Sequence, residues 1–173
     1  MSAAPEDHAN RESQPAPPPT EPEFPSFGRL LGLDYGTKRV GVAVSNDEQT
    51  IASPLELWNR RTAVLDAARL RDYLSDYQIV GIVVGLPVHM SGADSAKSRE
   101  AKTFGRWAAS AGGLPVRFFD ERLTTAHAEE HLLSSGMTRR QREARLDKLA
   151  AQIMLQSYLD APDRGQPPPD LRR

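Results

Sequence analysis

The stretch LLGLDYGTKRVGVAVS, residues 30–45, decides how the rest of the chain is read. Its first residues are apolar or glycine and suit a buried strand. Tyr35-Gly36-Thr37-Lys38-Arg39 suits a tight turn, and VGVAVS (40–45) a second strand returning beside the first. One acid, Asp34, stands where the first strand should end. A lone Asp there is ordinarily a turn or cap residue, and the other possibility is that it holds a metal. The remaining acids have to decide.

Further along, TIASPLELW (50–58) reads as a third strand that closes an antiparallel meander. Residues 61–77 place Val64, Leu65, Ala68, Leu70 and Leu74 near helical spacing. IVGIVVGLP (79–87) is almost wholly apolar, as a strand covered on both faces must be. Residues 94–111 read as a helix, and VRFFDE (116–121) as a strand ending in acids. TTAHAEEHLLSSG (124–136) has a Thr cap and a Gly stop. MTRRQREAR (137–145) reads as a basic linker or first helical turn, and LDKLAAQIMLQSYLD (146–160) as a helix with a strong apolar stripe. The order predicts an α/β fold. Its mixed five-stranded sheet combines an antiparallel three-strand meander with parallel strands, and helices cover both faces.

The chain has 173 residues, enough for one domain with a real core. Of its 14 prolines, seven fall in residues 1–25 and four in 162–169. These ends lack the apolar content to fold, so residues 1–27 and 161–173 are expected to be disordered Pro-rich tails around a domain at 28–160. The tails carry −4 and +1. Taking them from the chain's −1 leaves the domain at +2, too little for a nucleic-acid binder recognised by bulk charge. With no cysteine, disulfides and thiolate metal sites are excluded. No signal-like N-terminus or membrane-length apolar run is visible, so a cytoplasmic protein is expected.

Four acids stand out: Asp34, Asp120, Glu121 and Asp147. Asp147 shares a helical face with Ala150, Ala151, Met154 and Tyr158, so it faces inward, where a carboxylate is costly unless paired or bound to a cation. Each acid has an ordinary reading. Asp120 suits a cap, Glu121 a partner for Arg117 or Arg122, and Asp147 the positive end of a helix dipole. Together they suit a ligand set for hard divalent cations, Mg2+ or Mn2+, expected as a pair of ions of the kind that transfers phosphoryl groups. Lys38, Arg39, Arg122, Arg139, Arg140, Arg142, Arg145 and Lys148 flank these acids and would contact phosphates. The run 139–145 reads equally well as a solvated charged face. His89, His127 and His131 form no ligand cluster, and GLDYGTKR is not a Walker A loop, because Thr37 stands where the second glycine should be.

LGLDYGTKRVGVAVS, VGLPVHMSG, FFDERLTT and LDKLAAQIMLQSYLD resemble, in order, four blocks of the YqgF/RuvX family over residues 29–160. The resemblance implies an RNase H-like nuclease that hydrolyses phosphodiester bonds with a metal, in 5′-end maturation of pre-16S rRNA or on branched DNA. It implies a soluble monomer or homodimer whose partner is nucleic acid, not a membrane. The family's acidic positions correspond to Asp34, Glu121 and Asp147, with Asp120 second. His89 and Ser91 depart from the Asn-Met-Asp-Gly-like run usual after Gly-Leu-Pro. Two alternatives stand beside this reading: a non-catalytic RNA-binding ribosome-assembly factor, and an actin-like nucleotide-binding protein, suggested by Asp34-Tyr35-Gly36-Thr37.

Overall fold

A computed structural model describes residues 23–87, 95–120, 139–162 and 164; of 139–148 it describes the backbone only. Among the described residues eight elements run β1 (Arg29–Tyr35), β2 (Arg39–Ser45), β3 (Ala52–Asn59), α1 (Ala63–Asp76), β4 (Ile79–Leu86), α2 (Ala96–Gly112), β5 (Val116–Asp120) and α3 (Arg139–Asp160). The sheet order is β3-β2-β1-β4-β5. The meander pairs antiparallel, while β4 joins β1, and β5 joins β4, in parallel. The mixed five-stranded architecture is therefore the one expected. The expected helix at 124–136 lies outside the described residues.

Local chemistry accounts for the elements. At the β1–β2 turn a side chain on Gly36 would sit 2.4 Å from the Arg39 carbonyl oxygen, so only glycine fits. Pro54 is tolerated because β3 is an edge strand, and the register shifts beside it, between Val42 and Ala43. Thr62 and Ser95 cap α1 and α2 through Leu65 N and Ser98 N. Gly113, at φ 67, ends α2 in the left-handed conformation.

Alternation along the strands divides the core in two. Leu31, Leu33, Val40, Val42, Ile82 and Val84 face α1 and α2, with Trp58, Leu70, Tyr73 and Phe104. Leu30, Ala43, Val83 and Phe119 face α3, against Ala151, Met154, Leu155 and Tyr158. Two glutamines of α3 clamp the start of β3: Ala52 N donates to Gln156 Oε1 at 2.8 Å, and Gln152 Nε2 donates to Ala52 O at 3.0 Å.

Packing runs past residues 28 and 160. Phe24 meets Tyr158 edge-on at 6.3 Å and lies under the Arg117 guanidinium at 4.6 Å. Arg117 Nη1 donates to the Arg164 carbonyl at 2.7 Å, and Arg164 Nη1 donates to Gln49 O at 3.2 Å. The flanking residues nearest the core are thus held by one aromatic ring and two arginines, which a composition argument does not register.

Candidate functional site

Asp34 is the direct antiparallel partner of Gly41. A Cβ on Gly41 would lie 3.4 Å from the Asp34 Cβ and 3.1 Å from the Ala151 Cβ, so Asp34 is on the α3 face of the sheet. Two residues earlier on β1, a Cβ on Gly32 would lie 2.9 Å from the Leu155 Cβ. Leu155 thus covers Gly32, and Ala151 covers the Asp34–Gly41 pair. Four helical residues advance about 6 Å and two strand residues about 6.6 Å, so the two repeats stay in step. Helix α3 therefore runs antiparallel to β1. One further turn towards its start brings the backbone of position 147 beyond Asp34, at the C-terminal end of β1. The small residues Gly32, Gly41 and Ala151 make that close approach possible.

The other acids separate by face. Asp120 pairs with Leu86 on β4, and Val84 with Leu33 on β1. Asp34 and Asp120 therefore end strands at the same edge, two strand spacings or about 10 Å apart. Phe119 stacks edge-on to Tyr158 at 5.7 Å and belongs to the α3 face. Phe118 covers Gly105 of α2 on the opposite face, and Asp120 shares its parity. Asp34 and Asp120 thus lie on opposite faces of the sheet.

Glu121, Arg122, His89, Ser91, His127 and His131 lie outside the described residues, and the Asp147 side chain is not described. Among the described residues no three His, Asp or Glu side chains cluster to hold a metal. Lys38 and Arg39 are exposed at the β1–β2 turn, at the same edge as Asp34. Arg139, Arg140, Arg142, Arg145 and Lys148 lie on α3 itself, which among the described residues spans Arg139–Asp160. The basic run is helix rather than linker, because Arg, Gln, Glu and Ala are good helix formers even without an apolar stripe.

One residue at this edge escaped the sequence reading. Arg60, just past β3, donates through its backbone N to Lys38 O at 3.0 Å and through Nη1 to the Tyr35 hydroxyl at 3.2 Å. Its guanidinium lies over the Tyr35 and Phe104 rings, 5.3 and 5.5 Å from their centres. Nothing in the sequence beyond the Arg60-Arg61 pair marks it, since its partners come from other elements.

Among the described residues, the groups whose titration is clearly displaced lie away from this edge, on β3 and α1. Hydrogen bonds from the Tyr73 hydroxyl and from Arg69 hold the Glu56 carboxyl below its usual range, and burial with the Glu56 bond pushes the Tyr73 phenol up. This is an ion pair joining edge strand to helix, a structural role.

The sequence profile described as "RuvX: Holliday junction resolvase" matches residues 28–161. A Rhodopirellula baltica protein named "Putative pre-16S rRNA nuclease" is 42% identical over 141 residues, covering 82% of either chain. A Lactococcus lactis protein of the same name is 42% identical over 137 residues, 78% of this chain and 96% of that one. Among solved structures, Thermus thermophilus RuvC in complex with a Holliday junction substrate superposes with a TM-score of 0.54 at 19% identity. The match covers 81% of this chain and 98% of that one, and it identifies the fold as that of RuvC, RNase H-like. With a family profile spanning its whole packed core and relatives above 40% identity over most of its length, the chain belongs to the RuvX family.

Proposed function

We propose that this protein is a metal-dependent endonuclease that hydrolyses phosphodiester bonds at the 5′ end of pre-16S rRNA in the cytoplasm. The observation that carries the reading is the stacking of Ala151 over the Asp34–Gly41 pair. It puts position 147 one turn beyond Asp34 at the open end of β1. A carboxylate at each position suits a hard divalent cation, Mg2+ or Mn2+. Asp120 lies on the face of the sheet opposite Asp34, which favours its neighbour Glu121 as the third ligand. A bound pair of such cations supplies an activated water and stabilises the leaving oxygen.

The chain's own residues supply the rest. Asp34, Glu121 and Asp147 would hold the cations. Lys38 and Arg39, at the turn after Asp34, and the arginines that begin α3 would bind phosphates flanking the scissile one, fixing the strand without reading its sequence. The relatives' name favours an rRNA precursor as substrate, and the family description makes a four-way junction the competing one.

The test is a cleavage panel with Mg2+ or Mn2+: a pre-16S rRNA 5′ precursor, a four-way DNA junction and a single-stranded DNA. The wild-type protein should cut the RNA precursor fastest. Asp34→Asn, Glu121→Gln and Asp147→Asn should each lose cleavage while keeping the wild-type circular dichroism spectrum. Undiminished cutting by Asp34→Asn would remove the proposed site, and binding without cutting by the wild type would favour an RNA-binding assembly factor.

A further inference from the structure

Tyr35 follows Asp34 directly, so their Cα atoms are about 3.8 Å apart while their side chains leave opposite faces of the sheet. On the Tyr35 side a cavity of about 560 Å³ opens at the same edge, lined by Tyr35, Arg60, Arg61, Arg99, Phe104 and Trp107 among others. That is a size typical of small-molecule sites. Both α1 and α2 begin on it, through Ala63 and Ala96. Its inner wall is a ladder of flat groups. The Tyr35 and Phe104 rings are 5.0 Å apart at 37°, Phe104 and Trp107 are 5.3 Å apart at 31°, and the Arg60 guanidinium lies across the first two.

The guanidinium is held in place without its donors being used up. Nη1 bonds to the Tyr35 hydroxyl at 3.2 Å. Nε is buried without a hydrogen bond, and its charge partner, Asp66 Oδ2, is 3.6 Å away, beyond hydrogen-bond reach. Asp66, itself 3% exposed, is fixed by accepting from Arg61 N at 3.0 Å. A planar cation anchored by stacking and by a buried carboxylate leaves a flat face and further N–H groups for a flat, acceptor-rich ligand. Unpaired nucleobases are such ligands, and they stack on aromatic rings and on arginine planes. Arg61 and Arg99 on the rim would take the phosphates beside the base.

We infer that this cavity is a nucleobase subsite, which receives one unpaired base of a single-stranded segment within a nucleotide or two of the phosphate at Asp34. The inference rests on the nuclease reading and adds a requirement to it. The substrate strand crosses the C-terminal edge of β1 from the α3 face to the α1–α2 face, and it must be unstacked there. The cavity thereby prefers single-stranded RNA, or a locally opened strand, over continuous duplex.

The test is abasic scanning. A single-stranded RNA oligonucleotide is bound in Ca2+, with one base removed at each position in turn. For the wild type, one position should weaken binding by roughly 5- to 150-fold, the range expected for a stacked base. Two variants should abolish that position-specific loss. Arg60→Lys keeps the charge and loses the planar fork. Thr103→Trp fills the cavity from an exposed rim position of α2, leaving Arg60 and Asp66 intact. Asp34→Asn should keep the sensitive position, which separates failure of this inference from failure of the nuclease reading. A scan with no sensitive position, or one whose sensitive position survives both Arg60→Lys and Thr103→Trp, would overturn it.

Discussion

Ala151 rests on Gly41, and Gly41 is the residue across the ladder from Asp34. The helix that carries Asp147 is thus seated on the sheet at the level of Asp34, with the small Ala151 side chain resting on Gly41. Gly41→Ala would place a methyl 3.1 Å from the Ala151 Cβ and 3.4 Å from that of Asp34. Gly41→Val adds branches that have no room. Overpacking of this kind costs about 1–3 kcal/mol. Cleavage should fall further than stability, because a shift of α3 separates the two acidic positions. The check is kcat beside thermal melts for Gly41→Ala and Gly41→Val; a loss of activity no larger than the loss of folded protein would detach the contact from the site.

The basic start of α3 should act on binding rather than on chemistry. Replacing Arg139, Arg140 and Arg142 with Ala should weaken every nucleic-acid substrate alike. On single strands each phosphate contact contributes about 0.7 to the log–log salt slope, so three losses lower it by roughly 2. Titration in Ca2+ across ionic strengths measures this, and an unchanged slope would mean that these arginines serve only as a solvated helix start.

The flanks should divide sharply. Removing residues 1–22 should leave the melting temperature unchanged, because a Pro-rich, apolar-poor chain has little to bury. Removing 1–27 also deletes Phe24, with its contacts to Tyr158 and Arg117, and should cost about 1–2 kcal/mol. Phe24→Ala in the full chain should reproduce most of that cost.

The Glu56–Tyr73–Arg69 ion pair predicts an acid-side effect. Glu56 has its folded pKa below its unfolded one, so it contributes stability above the ordinary carboxylate range and loses it as pH falls through the folded value. Tyr73→Phe removes the strongest cause while keeping the ring against Trp58. It should flatten the stability curve between about pH 5 and pH 3, with a cost near neutrality of about 0.5 kcal/mol, since the carboxylate is partly exposed. Urea melts at several pH values decide this; a wild-type acid limb in Tyr73→Phe would rule it out.

Strand periodicity made most of this fold legible. The apolar runs at 30–33 and 79–86, the tight turn at Gly36 and the alternation around Asp34 fix the meander, the parallel pairing and the edge at which the site lies. The stripe from Ala150 to Tyr158 marked the inward face of α3, but that helix already includes Arg139, well before the stripe, because polar helix formers leave no amphipathic signal. Composition and spacing do not tell which face Asp120 takes, since that depends on where Phe118 and Phe119 pack; only the family resemblance put it second to Glu121. Arg60 was invisible for a different reason. Its role comes from Tyr35, Asp66 and Phe104, which meet only after three elements have folded.

The glutamine clamp between α3 and β3 bears on how the molecule comes into being. The Ala52–Gln156 hydrogen bond closes a separation of 104 residues, whereas the β1–β2–β3 meander closes through short turns. Loop-closure entropy makes contacts of such long range slow to form, so the meander should be in place well before α3 docks on it. Catalytic competence is then among the last properties the chain acquires. On the proposed site, a partly folded chain with a complete meander holds Asp34 but not yet the helix that carries Asp147, and should not cut the nucleic acid around it.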